Sequence, residues 1–279
     1  MHTLERVVSS TSSYYARARN RAMPSRAWLG LACAVLSVGA LSIRARAQMP
    51  AHTPGSEIPV RNAQELIAAL RNSNPDYQKA AKAAIERASP SLVEQLVRLP
   101  GSQSRREAAG RLIERMGRKA VPTLLTLLDD EATAARAGGP LSRIPTPQDA
   151  DLIPDFLACA QSKPLASVYC ATAVVRASGP AAAAHVAALS DCVKSASSEI
   201  RPYCVAALGK VGAKAAPAVP VLIKALSDAL PVIRAQAAAS LGEIGPAAKA
   251  AAAALRAAAK DASPEVRKAA AAALRRVGA

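Results

Sequence analysis

The chain has 279 residues, of which 51% are hydrophobic but only 3% aromatic, and its formal net charge is +16. An apolar fraction built mainly from Ala, Leu, Val and Ile suits closely packed helices. It disfavours β-sandwiches and barrels, whose strands favour β-branched and aromatic side chains.

The N-terminal segment has the pattern of a secretory signal peptide. Arginines precede an uncharged apolar stretch at 27–43, and Ala45-Arg46-Ala47 follows it. We therefore expect a signal peptide over 1–47, cleaved after Ala47, which would place the protein in the periplasm or outside the cell. The alternative is an uncleaved membrane anchor, although the stretch is shorter than the ~20 residues of a spanning helix. Translation from Met23 would give a signal of ordinary length.

The first elements after the signal are a tether and then helices. Residues 48–60 are rich in proline and predict a flexible tether. A helical solenoid is predicted over 61–279, opening with a capping helix at 62–71. Helix pairs are predicted at 75–99 and again from Arg106 onward.

The segment from Asp130 to Gln161 is an irregular copy of this helix pair. Gly138-Gly139-Pro140, and then Pro145 and Pro147, are predicted to interrupt its first helix. We expect a long loop here, which is either a neutral insertion or a partner-contact element.

The C-terminal part repeats itself every 33 residues. Leu208, Leu241 and Leu274 occupy one matched position, and the glycines at 212, 245 and 278 occupy another. Such a period is the signature of a repeat architecture.

Each copy predicts two helices joined at a glycine. Ile233, Ala237, Leu241 and Ile244 are spaced by four, four and three residues, which places them on one helical face. Gly245 then stands where a helix ends in the left-handed conformation. A second apolar face follows in each copy, in pairs that recur at 33: Leu189 with Cys192, Leu222 with Ala225, and Leu255 with Ala258. Prolines such as Pro231 and Pro264 fall at helix starts, where the missing N–H has no partner to lose.

These motifs resemble HEAT repeats. Asp228-x5-Arg234 and Asp261-x5-Arg267, followed by Ala-Ala-x-x-Leu-Gly-x-Ile-Gly and Val-Pro-x-Leu, are similar to the short bacterial form named after phycobilin lyases. The resemblance implies an all-α solenoid of antiparallel helix pairs, with about six repeats and a terminal half.

An arginine ladder runs through the clearest copies, at Arg201, Arg234 and Arg267. The family resemblance implies that each arginine bonds a linker aspartate, Asp228 or Asp261, of its own or a neighbouring repeat. The alternative is an anion-binding stripe. Ser195 stands where the first copy would carry its aspartate, so Arg201 is expected to be the free member.

Four cysteines lie downstream of the glycine–proline cluster, at Cys159, Cys170, Cys192 and Cys204. An even number in an exported protein suggests disulfides. The pairs Cys159–Cys170 and Cys192–Cys204 each flank a helix–helix link, and antiparallel packing would bring the partners together. The alternative is four buried thiols in slots that alanine fills elsewhere.

No catalytic, cofactor-binding or metal-binding motif is evident in the sequence. There is no glycine-rich phosphate loop after a strand, and no pair of His and Glu at metal-ligand spacing. HEAT-like relatives include a di-iron hydroxylase with His-Glu metal sites, but this chain lacks those pairs. We therefore expect no enzyme activity, no cofactor and no metal.

The charge distribution points to a binding function. Residues 201–279 hold 12 Lys and Arg against 4 Asp and Glu, whereas residues 129–200 hold 5 against 8. Because basic surfaces attract anionic partners, we predict an exported, monomeric scaffold or adaptor that binds an acidic protein. The candidate contacts are Lys210, Lys214, Lys224 and Arg201. Nucleic-acid or other polyanion binding is one alternative, disfavoured by scarce aromatics and by export. A lyase-like or hydroxylase-like enzyme is the other.

Overall fold

The computed structural model describes residues 58–278, and all regular structure within that range is helical. The predicted signal peptide and most of the tether lie outside the described residues. Fourteen α-helices lie within the range: α1 (Ala63–Arg71), α2 (Pro75–Arg87), α3 (Pro90–Val97), α4 (Gln103–Met116), α5 (Val121–Thr126), α6 (Glu131–Arg143), α7 (Ile153–Ser162), α8 (Ser167–Ala177), α9 (Val186–Ser195), α10 (Arg201–Val211), α11 (Val219–Ala225), α12 (Pro231–Ile244), α13 (Ala252–Ala258) and α14 (Pro264–Val277).

The helices form six successive pairs. The first helix of each pair is even-numbered, from α2 to α12, and the second is the odd-numbered helix that follows it. Each even-numbered helix packs against the next, so α2 to α14 form one continuous row. Helix α1 precedes the first pair and α14 follows the last. The architecture confirms the prediction of an all-α solenoid with six repeats, an N-terminal capping helix and a terminal half.

The core consists of the predicted apolar faces. On α12, Ile233, Ala237, Leu241 and Ile244 are all buried. The second face is buried as well, in the pairs Leu189 with Cys192, Leu222 with Ala225, and Leu255 with Ala258. Steps of three and four residues place these side chains on the inner side of each helix, where they leave water together.

Four repeat glycines end first helices with a positive φ. Gly117, Gly212 and Gly245 have φ between 63° and 71° with ψ near −145°, a region that side chains rarely enter. Gly278 alone has the left-handed conformation, at φ 73° and ψ 41°. The sequence therefore predicts the helix ends correctly, but three of the four turns differ from the left-handed form.

The prolines stand at helix starts, as predicted. Pro75, Pro90, Pro231 and Pro264 are the first residues of their helices, and Pro202 is the second residue of α10. Proline removes no intrahelical hydrogen bond at these positions. The high proline content therefore separates the helices without breaking them.

The predicted long loop at 130–161 is wrong. Helix α6 runs without interruption from Glu131 to Arg143 and contains both glycines and Pro140. A 3₁₀ helix at Pro147–Leu152 then leads into α7. Glycine at 138 is required by packing, because a Cβ there would lie 2.3 Å from the Tyr169 ring on α8. The glycine-proline cluster therefore adapts the helix to its neighbours.

Residues 201–225 are the one helical stretch of the described chain that is long and apolar enough to cross a membrane. They do not form one straight rod, since α10 ends where Gly212 turns the chain at φ 70°. Helix α10 has 11 residues, about 16 Å at 1.5 Å per residue, roughly half of a ~30 Å hydrocarbon core. Its apolar side chains, among them Val205 and Leu208, are buried in the solenoid.

Candidate binding surfaces

The arginine ladder is a set of ion pairs between neighbouring repeats. Arg234 donates from Nε and Nη2 to the two carboxylate oxygens of Asp261, both at 2.8 Å, and from Nη1 to the carbonyl of Asp228 at 2.9 Å. Both side chains of the ion pair are largely buried, with 16% and 14% of their surfaces exposed. Because Arg234 and the Ser263 N–H donate to the Asp261 carboxylate, its pKa lies below the ordinary value. The structure thus follows the aspartate-bonding alternative and not the anion-binding stripe.

Arg201 is not the free member of the ladder. Its guanidinium lies 3.2 Å from Asp228 Oδ2, and Asp228 is the linker aspartate of the following repeat. The prediction failed because it sought the partner before Arg201, whereas the ladder joins each arginine to the aspartate after it. Arg267 donates instead to the carbonyls of Asp261 and Ala262, both at 2.7 Å.

The same kind of link continues upstream in less regular form. Arg98 pairs with Asp130 at 3.1 Å, and Arg118 pairs with Asp149 and Asp151. Hydrogen bonding to Asp151 raises the pKa of Arg118, and the same contact lowers the pKa of Asp151. The repeats along the described chain are therefore joined by charged contacts as well as by apolar packing.

The predicted lysines are exposed and distributed along one repeat. Lys210 ends α10 and lies 4.0 Å from Glu243, and Lys214 follows the Gly212 turn. Lys224 lies near the C-terminal end of α11, away from the turn at Gly212. Neither groove described below is lined by these lysines. Their role in partner binding stays a prediction.

Both predicted cysteine pairs come together across a link between repeats. Cys159 on α7 and Cys170 on α8 have Cα atoms 5.9 Å apart, and Cys192 on α9 and Cys204 on α10 have them 6.0 Å apart, each with Sγ atoms at bonding distance. All four side chains are buried. The arrangement is consistent with two disulfides that each tie the second helix of one repeat to the first helix of the next.

A groove of about 460 Å³ runs between α4 and α6, the first helices of two successive repeats. Its charged lining comes from Arg106, Glu107, Arg111 and Glu114 on α4, and from Arg136 and Arg143 on α6. On α4, Glu107, Arg111 and Glu114 are spaced by four and three positions, which places them on one face, and Arg106 lies beside Glu107 at the edge of that face. Two neighbouring repeats therefore both contribute to one open surface.

The charges of this groove, hereafter the α4–α6 groove, are only partly compensated. Arg143 Nε lies 2.7 Å from Glu114 Oε1, which pairs two of the charges at the C-terminal ends of the helices. Arg106 donates to the carbonyl of Gly101 at 3.0 Å. Within residues 58–278, Arg106, Arg111 and Arg136 form no ion pair, and all three are exposed. The groove thus presents three arginines toward solvent.

A second groove of about 420 Å³ lies between α1 and α3, and its charged groups have partners. Gln95 Oε1 accepts from the backbone N–H of Ala63 at 3.1 Å, and Arg98 pairs with Glu94 and Asp130. The charged groups of this groove are therefore engaged in contacts within the chain.

Sequence reasoning missed the α4–α6 groove. Its signals are Arg106 and Arg111 on either side of Gly110, and Arg136 one helical turn before Gly139. The second of these lies within the segment that we expected to be a loop. Without a continuous α6, nothing in the sequence places Arg136 opposite α4.

Residues 219–279 match the family model described as HEAT repeats. Residues 219–279 therefore form HEAT repeats. The matched segment comprises α11 to α14, which are among the most regular helices, and the turn between first and second helix is made by glycine upstream as well, at Gly117 and Gly212. The chain has no significant sequence match among curated proteins.

The solved structures similar to this solenoid include other helical-repeat proteins. An engineered protein is 20% identical, with a TM-score of 0.47, and the match covers 77% of this chain and 96% of that one. A designed armadillo repeat protein in complex with the peptide (KR)4 is 18% identical, with a TM-score of 0.47, and the match covers 77% and 99%. The complex of CpcE and CpcF of phycocyanin lyase from Nostoc is 20% identical, with a TM-score of 0.35, and the match covers 80% and 90%.

Proposed function

We propose that this protein is an exported, non-catalytic scaffold or adaptor that binds another protein through the surface of its solenoid. The helical-repeat fold supports a protein-interaction role in general terms, because stacked repeats present an extended surface. The observation that carries the proposal is the α4–α6 groove, which two repeats build together and which leaves three arginines without ionic partners.

A binding role fits how the rest of the molecule uses its side chains. Most of the large apolar side chains are buried in the core between helices, and Arg201 and Arg234 of the ladder form ion pairs between repeats. What the fold leaves available is a periodic exposed surface that carries an excess of positive charge. Such a surface gains from a partner with complementary charge.

Export is supported by two independent features. One is the n-region, apolar stretch and Ala45-Arg46-Ala47 site of the N-terminal segment. The other is the pairing of all four cysteines downstream of that segment, since disulfides persist mainly in oxidising compartments. We propose a periplasmic or extracellular location on these grounds.

The test combines location with reconstitution. The full chain, tagged at its C-terminus, is recovered from an envelope fraction after chemical cross-linking, and each partner found by mass spectrometry is then purified and tested for a binary complex. The proposal expects one protein partner that binds the purified chain at defined stoichiometry and in an oxidised compartment. A cytoplasmic protein whose cross-links are to nucleic acid would overturn it in favour of polyanion binding.

A further inference from the structure

We propose that the α4–α6 groove binds an extended acidic segment of the protein partner, whose carboxylates pair with Arg106, Arg111 and Arg136. This inference rests on the proposed binding function and names the site and the chemistry of the ligand.

The glycines of the groove indicate that the space is kept open. Gly110 and Gly139 both lie inside helices and both line the groove. A Cβ at position 110 would come no closer than 3.8 Å to Pro140, and one at 139 no closer than 3.6 Å to Arg143, which are ordinary contact distances. Neither residue has a positive φ. Glycine in a helix interior costs stability, and neither packing nor backbone conformation requires it here.

Other helical glycines of the chain show the opposite situation. A Cβ at Gly138 would lie 2.3 Å from Tyr169, and one at Gly209 would lie 2.7 Å from Glu243 and 2.9 Å from the backbone of Ser240. These glycines allow neighbouring helices to approach closely. Gly110 and Gly139 are not needed for such an approach, and we infer that glycine at these positions keeps the groove accessible to a ligand.

The arginines suit carboxylates in an extended chain. On α4, Arg106 and Arg111 are about 7.5 Å apart along the axis, at 1.5 Å per residue. That rise is close to two residues of an extended strand, at about 3.3 Å each. Arg136 reaches the same groove from α6. Guanidinium groups bind carboxylates through paired hydrogen bonds, and Arg is favoured over Lys for this geometry.

The proline in α6 adds an acceptor. Arg136 and Pro140 both line the groove, and because Pro140 has no N–H, the carbonyl of Arg136 lacks its usual donor within the helix. A backbone N–H of an extended segment is the complementary donor. Glu107 also lines the groove and accepts from Gln103 at 2.9 Å. Arg106, Glu107, Arg111 and Arg136 together still carry a net charge of +2.

The experiment uses a fluorescein-labelled hexaglutamate peptide and the full chain, with binding followed by fluorescence anisotropy at low salt. The groove variant is Arg106→Gln, Arg111→Gln, Arg136→Gln. The matched variant is Lys210→Gln, Lys214→Gln, Lys224→Gln, which removes the same charge at the rival site. Circular dichroism establishes that both variants fold. A third variant, Gly110→Leu with Gly139→Leu, fills the groove and keeps every charge.

We expect the groove variant to weaken binding at least about tenfold, as the loss of three exposed charged contacts implies. The lysine variant should change affinity less than about threefold, through bulk charge alone. The leucine variant should weaken binding although its net charge is unaltered. Equal losses in both charge variants, or a larger loss in the lysine variant, would overturn the groove as the site.

The two proposals fail in different ways. If hexaglutamate does not distinguish the groove variant while the purified partner still binds the chain, the groove inference is wrong and the scaffold function stands. If hexaglutamate binds in the groove but no protein partner forms a binary complex, the scaffold function is wrong. If DNA of equal charge binds the groove more tightly than the peptide, the ligand class is wrong.

Discussion

At the scale of single residues, the role of a charged or small side chain depends on which groups of the neighbouring repeat lie against it. In the sequence, Arg234 and Arg267 are equivalent members of the ladder. In the structure, Arg234 forms an ion pair with Asp261 of the next repeat, whereas the hydrogen bonds of the Arg267 side chain within the described chain go to backbone carbonyls. Gly138 and Gly139 are adjacent in the sequence, but they face Tyr169 and the groove respectively. Position within the stack, more than residue type, sets the role.

The Arg234–Asp261 pair predicts a pH dependence of stability. The pKa of Asp261 is lower in the folded protein than its ordinary value, so its contribution is complete above about pH 5 and is lost as the pH falls through the folded-state pKa. Asp261→Asn should lower the urea midpoint at pH 7 and should flatten its decline between pH 5 and pH 3. The exposed residue Glu199 forms no ion pair in residues 58–278, and Glu199→Gln serves as the control. An unchanged pH profile in the Asp261 variant would contradict the prediction.

The neighbouring glycines of α6 predict opposite effects. Gly138→Ala should lower the free energy of unfolding by about 1–3 kcal/mol, because the new Cβ overlaps the Tyr169 ring. Gly139→Ala should raise it by about 0.5–1 kcal/mol, because the helix gains propensity and the methyl group meets no close atom. Urea unfolding of both variants beside the wild type measures the difference. Destabilisation by both would show that Gly139 has a packing role.

At the scale of helices, the solenoid is held by links between the second helix of one repeat and the first helix of the next. The two cysteine pairs tie α7 to α8 and α9 to α10, which are the two junctions on either side of the α8–α9 repeat. Alanine fills the equivalent slots in later repeats, for example Ala237 in place of Cys204. Apolar packing therefore suffices there, and the cysteines add covalent links to the less regular repeats.

Removal of one link should be measurable. The double variant Cys192→Ala, Cys204→Ala should unfold with a free energy about 2–4 kcal/mol lower than the oxidised wild type, because the open loop gains entropy in the unfolded chain. Treatment with a strong reductant during unfolding should lower the free energy of unfolding of the wild type by at least the same amount. Mass spectrometry after alkylation that found four free thiols in protein from the envelope would contradict the pairing.

At the scale of the whole molecule, an N-terminal segment with the pattern of an export signal precedes a solenoid with an uneven charge distribution. The most basic stretch, residues 201–279, was the obvious candidate for partner binding. Its arginines Arg201 and Arg234 are engaged between repeats, and the three lysines predicted to bind, Lys210, Lys214 and Lys224, are spread along one repeat. Regional net charge is therefore a poor guide to a site, because it counts paired and unpaired groups alike.

The export proposal predicts a defined mature terminus. Protein purified from the envelope should have an intact mass that begins at Gln48, and replacing both alanines of the cleavage motif, Ala45→Leu with Ala47→Leu, should accumulate the longer precursor. Control substitutions in the tether, such as His52→Ala, should leave processing unaltered. An envelope protein that retains residues 1–47 would support the membrane anchor instead.

The sequence by itself determined the repeat architecture. Apolar residues at steps of three and four, a glycine after the first helix of the regular copies and prolines at helix starts are local constraints, and each acts within one repeat. The regular copies from residue 199 onward were therefore predicted helix by helix. The slots of Cys192 and Cys204 followed from the same register, since a residue 33 positions away reports the same environment.

The tertiary structure alone decided what happens between repeats. Helix α6 continues through two glycines and a proline because α4 and α8 pack against it, and local propensity does not contain that stabilisation. The same stacking pairs Arg201 with an aspartate 27 residues later and brings Arg136 beside Arg106 and Arg111. Contacts between repeats depend on how helices are spaced and rotated, and a one-dimensional pattern does not specify those quantities.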